Sequence, residues 1–355
     1  MASKLRLAVV GAGLIGKRHI QHVLAEPEAA LAAIVDPSDA ASALADELGV
    51  RWFAQLTDMI KNDAPDGVII ATPNQLHVAH GQEAISAVLP ALIEKPVADN
   101  IESAERLVQA GEAAHVPILI GHHRRHNPLL RRAKEIIDSG QLGRVSVIHA
   151  MFWLFKPDDY FKVAWRTQPG AGPVFLNLIH DIDNLRFLFG DIIAVQARES
   201  HKIRGYDVED TSVILLEFAS GILATVSVCD TVVAPWSWEM TSGENPAYPH
   251  EKQPSIFVGG THASLTLPGL ELWRNADLRS WEKPFEKSRI PVARADPLAI
   301  QISHFCHVIR GTEQPLCSAR EGLETLRVIE AVKRAAASGQ QIRLNPDSTV
   351  QRDRP

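Results

Sequence analysis

Over its first third the chain alternates short, wholly apolar runs with amphipathic stretches of helical period. Residues 5–10 (LRLAVV) form the first such run, and residues 14–25 have helical spacing. The pattern then repeats: a strand at 31–35, a helix at 40–48 stopped by Gly49, a strand at 51–53 and a helix at 56–62. A strand at 67–71 follows, then a helix opened by His77, and a strand at 89–93. The Asp99-x-x-Glu102 spacing predicts a capping box at the head of a helix to Ala114, before a strand at 117–121. Strands apolar on both faces, alternating with helices of this length, predict a six-stranded, doubly wound parallel sheet.

Beyond residue 121 the rhythm changes. A helix at 129–139 precedes longer strands at 144–153, 192–201, 210–218 and 222–229, with Ala219-Ser220-Gly221 as a hairpin turn between the last two. Shorter strands at 264–267 and 270–274 and helices at 297–310 and 319–338 complete the pattern. The expected division is a doubly wound α/β domain at 1–122 and a second α/β domain at 123–355.

The apolar-to-helical junctions carry the candidate chemistry. Gly11-Ala12-Gly13-Leu14-Ile15-Gly16 has G-x-G-x-x-G spacing between a strand and a helix. The first glycine permits a tight turn, the second lets backbone approach a pyrophosphate, and the third lets helix pack on strand. Unpaired N–H groups at the helix start then favour the anion. Asp36 ends the second strand twenty residues after Gly16, where an acid accepts bonds from ribose hydroxyls and repels a 2′-phosphate. Pro37-Ser38-Asp39 follows with no basic residue, which favours NAD over NADP. Thr72-Pro73-Asn74 with His77, and Glu94-Lys95-Pro96, leave the carboxyl ends of later strands, where open α/β sheets bind ligands. An ammonium there, Lys95, could stabilise an alkoxide or lower a hydroxyl's pKa.

Composition narrows the class. Of 355 residues, 46% are hydrophobic and 22% charged, and the formal net charge of −6 gives no reason to expect nucleic acid or an anionic membrane as partner. No apolar run approaches the length of a spanning helix. Cys229, Cys306 and Cys317 form no C-x-x-C pair, which argues against a zinc site and for reduced, cytoplasmic thiols. The opening strand leaves no room for a signal peptide.

Together the glycine loop, Asp36, Ala71-Thr72-Pro73-Asn74 with His77, and Glu94-Lys95-Pro96 resemble the Gfo/Idh/MocA oxidoreductases. The resemblance implies a Rossmann domain followed by an α/β domain on a large, mostly antiparallel sheet. It implies a tightly held nicotinamide cofactor, a secondary-alcohol or sugar-like substrate, and homodimers or homotetramers made through that sheet. It also implies that Lys95 is catalytic.

In the second domain, Asn177, His180 and Asn184 share one face of a helix, a polar stripe in a segment rich in Leu, Ile and Phe. The family's catalytic histidine aligns with His180. The Asp that relatives carry four residues earlier is Leu176 here, and Asn177 would point about 100° away around a regular helix. Lys95 and His180 are therefore the expected acid/base pair.

Two stretches stay open to two readings. His122-His123-Arg124-Arg125-His126 would suit an anionic substrate, or a hinge whose arginines pair with nearby acids. The loop at 230–254 with Trp236 and Trp238, and Trp165-Arg166, would suit a flat ring bearing a carboxylate, or a subunit interface. His123, Arg166, Asn177, His180 and Lys95 are the expected substrate contacts. The expected function is hydride transfer between nicotinamide and a secondary alcohol of a sugar, cyclitol or carboxylated cyclic diol. A dihydrodiol dehydrogenase of aromatic acids is one alternative, and a non-catalytic NAD(P)-sensing regulator another.

Overall fold

In this computed structural model residues 3–345 are described, and the chain divides into two compact units. The first contains the residues up to Asn127 together with Ala295–Leu326. Its strands β1 (Leu5–Val10), β2 (Ala29–Val35), β3 (Arg51–Phe53), β4 (Gly67–Ile70), β5 (Ala91–Ile93) and β6 (Ile118–Ile120) pair in parallel in the order β3-β2-β1-β4-β5-β6. The order reverses direction between β1 and β4, so the turns leaving these two strands flank the switch point where such sheets bind ligands. Helices α1 (Leu14–Ala25), α2 (Asp39–Leu48), α3 (Leu56–Asp63), α4 (His77–Ser86) and α5 (Ile101–Ala114) alternate with the strands. The cap of α5 is Asn100, not Asp99: Asn100 Oδ1 accepts the Ser103 N–H at 2.9 Å, and Asp99 accepts from the Asn100 amide.

This division differs from the sequence reading, which assigned everything after residue 122 to the second domain: the first unit runs on to Asn127 and regains 295–326. Residues 295–326 rejoin the first unit because their apolar side chains complete its core. Ile302, Phe305, Cys306 and Val308 are buried with Leu7, Val9, Ile69 and Leu92.

The second unit holds Pro128–Arg294 and the described residues from Arg327 on. Among the described residues its sheet has nine strands: β7 (Val145–Trp153), β8 (Ile192–Ser200), β9 (Thr211–Phe218), β10 (Leu223–Cys229), β11 (Ile256–Gly260), β12 (Ser264–Leu267), β13 (Glu271–Asn275), β14 (Phe285–Arg289) and β15 (Ile342–Arg343). Only the β7–β10 pair is parallel; the other pairings are antiparallel. One face buries Ile148, Phe152, Ile214, Val226 and Val258 in a core shared with α6 (Pro128–Asp138) and α7 (Ile179–Phe189). The opposite face leaves Val147, Val213, Leu215, Leu223 and Phe257 exposed.

Strands β11, β14 and β15 have no counterpart in the sequence reading, and the loop at 230–254 contains a short helix, α8 (Trp238–Ser242). Helix α9 (Pro297–Ile309) belongs to the first unit, and α10 (Ala319–Ser338) straddles the last boundary. No helix among the described residues is long and apolar enough to cross a membrane.

Candidate active site

The three glycines of the β1–α1 turn answer to different demands. Gly11 has φ +92°, and a Cβ there would lie 2.7 Å from the Ala71 carbonyl oxygen. A Cβ on Gly16 would lie 1.9 Å from the Gly11 oxygen. Gly13 has ordinary φ and open space around it, so nothing inside the protein requires a glycine there. It caps α1 without a side-chain bond, no acid sits in the first turn, and Leu14 beside it is 89% exposed. The open backbone and unsatisfied amides fit a pyrophosphate, with Ile15 half-buried at the same turn.

Asp36 stands beside this turn. Its Oδ2 accepts the Ala12 N–H at 2.9 Å, and its Oδ1 accepts both the N–H (2.9 Å) and the hydroxyl (2.6 Å) of Ser38. Partial burial works against the charge, but these bonds prevail and hold the carboxyl below its ordinary value. A fixed anion is thus presented where the sequence reading expects the ribose. Trp52, from β3, donates its indole N–H to the Asp36 carbonyl at 2.9 Å and remains 39% exposed.

Thr72, Pro73 and Asn74 leave β4 next to the glycine turn, with Pro73 and Asn74 exposed. His77 is held inward, 1% exposed: its Nε2 lies 2.9 Å from the Thr72 carbonyl and its Nδ1 2.7 Å from the Pro96 carbonyl. Both bonds are made together only when both ring nitrogens carry protons. The placement makes His77 a clamp between two backbone segments.

Glu94, at the end of β5, is also turned inward. Its Oε1 lies 2.8 Å from His19 Nε2, and its Oε2 accepts the Lys95 N–H at 3.1 Å. Burial raises its pKa, but the bond from His19, with the charges of His19, His123 and Lys95, brings it down to about 2. Gly121 makes room for it, since a Cβ would approach Glu94 Cδ to 2.9 Å. His19 escaped the sequence reading. Its only signal is a position three residues past Gly16, on the helix face that turns inward.

The basic stretch after β6 is largely structural. His122, Arg124, Arg125 and His126 are each 3% exposed or less. Arg125 bonds Glu321 (2.9 Å) and the Leu316 carbonyl (3.2 Å), and His126 Nε2 meets His304 Nδ1 at 2.9 Å. These side chains tie the end of β6 to the returning segment 295–326. His123 alone is half-buried.

In the second unit, residues Val174–Leu178 wind as a π-helical turn that runs directly into α7. A π turn is wider than an α turn, so the regular-helix spacing used to separate Leu176 from Asn177 does not hold there. His180 is 9% exposed and Asn177 half-buried. Asn184 is fully buried, and neither its amide nitrogen nor its oxygen has a partner among the described residues. The turn is anchored by Glu209, whose Oε1 accepts the Val174 N–H.

The loops after β7, β8 and β10 carry an internal charge network. Arg204 donates from Nε to Asp230 Oδ1 (2.8 Å) and from Nη2 to the Lys156 carbonyl (2.8 Å). Lys156 Nζ lies 3.5 Å from Asp230 Oδ2, and burial pushes its pKa down despite that carboxylate. Arg166 stacks 4.0 Å above the Tyr160 ring and donates to the Tyr160 carbonyl at 2.9 Å. Trp238 is 1% exposed with its N–H on Glu244, so it is a core residue and offers a ligand no surface. Among the described residues no group of three or more His, Cys, Asp or Glu is placed to hold a metal ion.

A family model for oxidoreductases with an NAD-binding Rossmann fold matches residues 5–122, and a GFO/IDH/MocA C-terminal domain model matches residues 130–266. The chain is similar to inositol 2-dehydrogenase of Corynebacterium glutamicum, 26% identical over 242 residues, or 64% of this chain and 68% of that protein. It is also similar to 1-carboxy-3-chloro-3,4-dihydroxycyclohexa-1,5-diene dehydrogenase of Comamonas testosteroni, 29% identical, covering 63% of this chain and 57% of that one. Among solved structures, the WlbA dehydrogenase from Bordetella pertussis, in complex with NADH and UDP-GlcNAcA, superposes with a TM-score of 0.77 at 25% identity, over 97% of this chain and all of that one.

Proposed function

Because the chain belongs to the Gfo/Idh/MocA oxidoreductase family, we propose that it transfers a hydride between NAD and a ring secondary alcohol of a neutral sugar or cyclitol. The observation that carries this is the position of Lys95. It leaves the carboxyl end of β5, at the same end of the parallel sheet as the glycine turn after β1 and the Thr72 turn after β4. Gly11, Gly13, Leu14, Ile15, Gly16, Asp36, Thr72, Pro73 and Asn74 would hold the dinucleotide, with His77 and Glu94 supporting them from behind. Bound nicotinamide supplies the hydride acceptor or donor. Lys95 and His180 take up or return the hydroxyl proton, and Asn177, His123 and Arg166 contact substrate.

A neutral substrate is favoured because Arg125, one of the cations that would have suited a carboxylate, is buried in a bond to Glu321. A carboxylated cyclic diol is the second reading, supported by the half-buried Arg166 and by the relative from Comamonas testosteroni. Presence of both Lys95 and His180 argues against a purely sensing role.

NADH formation followed by absorbance with myo-inositol, glucose and a dihydrodiol carboxylate tests the reading. Turnover of at least one, lost by about 10²-fold or more in Lys95→Ala, is expected. NADH binding with no turnover of any would favour the sensor.

The exposed apolar face of Val147, Val213, Leu215, Leu223 and Phe257 supports assembly of this chain with itself through the larger sheet. Leu215→Lys with Val213→Glu should then reduce the mass measured by light scattering. The three cysteines, all buried and with no C-x-x-C pair among them, support a reducing, cytoplasmic setting.

A further inference from the structure

We propose that His19 and His77 are positioning residues for Lys95, tying the turns that receive the dinucleotide to the lysine. The inference rests on the reading of Lys95 as the proton-handling group. Two bonds bracket that lysine. On one side its own N–H is held by Glu94 Oε2 at 3.1 Å, and Glu94 Oε1 is held in turn by His19 Nε2 at 2.8 Å. On the other side the carbonyl of Pro96 is held by His77 Nδ1 at 2.7 Å.

Each imidazole has its second attachment on the dinucleotide side. His19 rides on α1, three residues beyond Gly16, so its ring moves with the helix whose N-terminus faces the pyrophosphate position. His77 Nε2 lies 2.9 Å from the carbonyl of Thr72, the first residue of the turn after β4. Both rings are fully buried, 0% and 1% exposed, and Glu94 is 6% exposed, so none of the three is available to bind a ligand directly. With the N–H of Lys95 and the next carbonyl both fixed, the direction in which the lysine side chain leaves the backbone is fixed as well. Reacting groups must be held to within about 0.5 Å, and a displacement of about 1 Å can cost roughly 10²-fold in rate.

The chemistry of the pair suits this task. An ionised Glu94 accepts from two donors, and His19 Nε2 supplies one of them while its Nδ1 makes no bond among the described residues. A glutamine at position 19 could present an amide N–H to the same oxygen; an alanine could not.

Two measurements on the full-length protein test the proposal. The first needs no substrate: acylation of lysines by an N-hydroxysuccinimide acetate ester, read peptide by peptide by mass spectrometry. In His19→Ala and His77→Ala the Lys95 rate should change about threefold or more while the rate at Lys17 stays the same, and His19→Gln should restore it. An unchanged Lys95 rate overturns the proposal, as does an equal change at every lysine. The second uses whichever alcohol of the panel above is turned over fastest. His19→Ala should lower kcat about tenfold with KM for NAD changed less than about twofold. Combining it with Lys95→Ala should cost no more than Lys95→Ala alone. If Lys95→Ala is inactive but His19→Ala keeps its kcat, the positioning role fails and the functional reading stands. If Lys95→Ala is itself active, the functional reading fails, and that arm alone shows it.

Discussion

Glu209 Oε1 accepts the backbone N–H of Val174 at 3.0 Å, at the head of the segment that carries Asn177 and His180. Its other oxygen takes Lys333 Nζ at 2.7 Å, and Lys333 also bonds Glu199 at 2.7 Å. A negative charge at a helix start is favoured by the dipole, and here it also satisfies a donor that has no partner within the helix. Glu209→Ala should lower stability by about 2 kcal/mol, because a buried N–H loses its acceptor while the Lys333 ammonium keeps Glu199. Glu209→Gln keeps an oxygen for Val174 and should lose less. Gly172→Ala should also destabilise, since its Cβ would fall 2.1 Å from Glu209 Oε1. Thermal unfolding of the three variants checks the order.

The glycine turn separates stability from binding. Gly16→Ala forces a Cβ to 1.9 Å from a backbone oxygen and should unfold the protein at markedly lower temperature. Gly13→Ala meets nothing and should shift stability by no more than about 0.5 kcal/mol. It should nonetheless weaken NADH binding, measured by fluorescence titration, because the added methyl would occupy the path proposed for the pyrophosphate.

Asp36 is held ionised by three hydrogen bonds beside the glycine turn. Asp36→Ser removes the charge proposed to repel a 2′-phosphate. The ratio of kcat/KM for NADP to that for NAD should rise about tenfold or more. An unchanged ratio would place discrimination elsewhere.

Glu94 makes stability depend on pH in a stated direction. Its folded pKa of about 2 lies below its ordinary 4.5, so the stability it contributes is fully present above about pH 4.5 and is lost as pH falls through about 2. In urea titrations across that window Glu94→Gln should lose stability less steeply than the natural protein. The two curves should converge at the acid end.

How much of this could be read from residues alone depended on how local each feature is. The β1–α1 turn, Asp36 and the strand-ending Lys95 were legible because periodicity and spacing along a short stretch define them. His19 was not, because its partner Glu94 lies 75 residues away and a helical histidine carries no mark of what it faces. The run from His122 to His126 stayed open between an anion site and a hinge paired with acids because sequence shows charge and hides burial; Glu321, which binds Arg125, is 196 residues distant. Strand β11 was obscured by its Gly259-Gly260 end, and the edge strand β14 by side chains that are all exposed and follow no apolar alternation. The π turn at Val174–Leu178 has no sequence period of its own.

The return of residues 295–326 to the first unit bears on how the protein is made. Helix α9 packs on the start of β4: a Cβ on Gly67 would lie 2.7 Å from Ile309 Cδ1 and 3.3 Å from Phe305 Cζ. A ribosome delivers β4 early and α9 only after strands β7 to β14 of the larger sheet have emerged. Throughout that interval the dinucleotide half of the nascent chain lacks part of its own interior, and a fragment ending at Asn127 would lack it permanently. Any attempt to transplant the nucleotide-binding half onto another protein must therefore carry two separate pieces of chain.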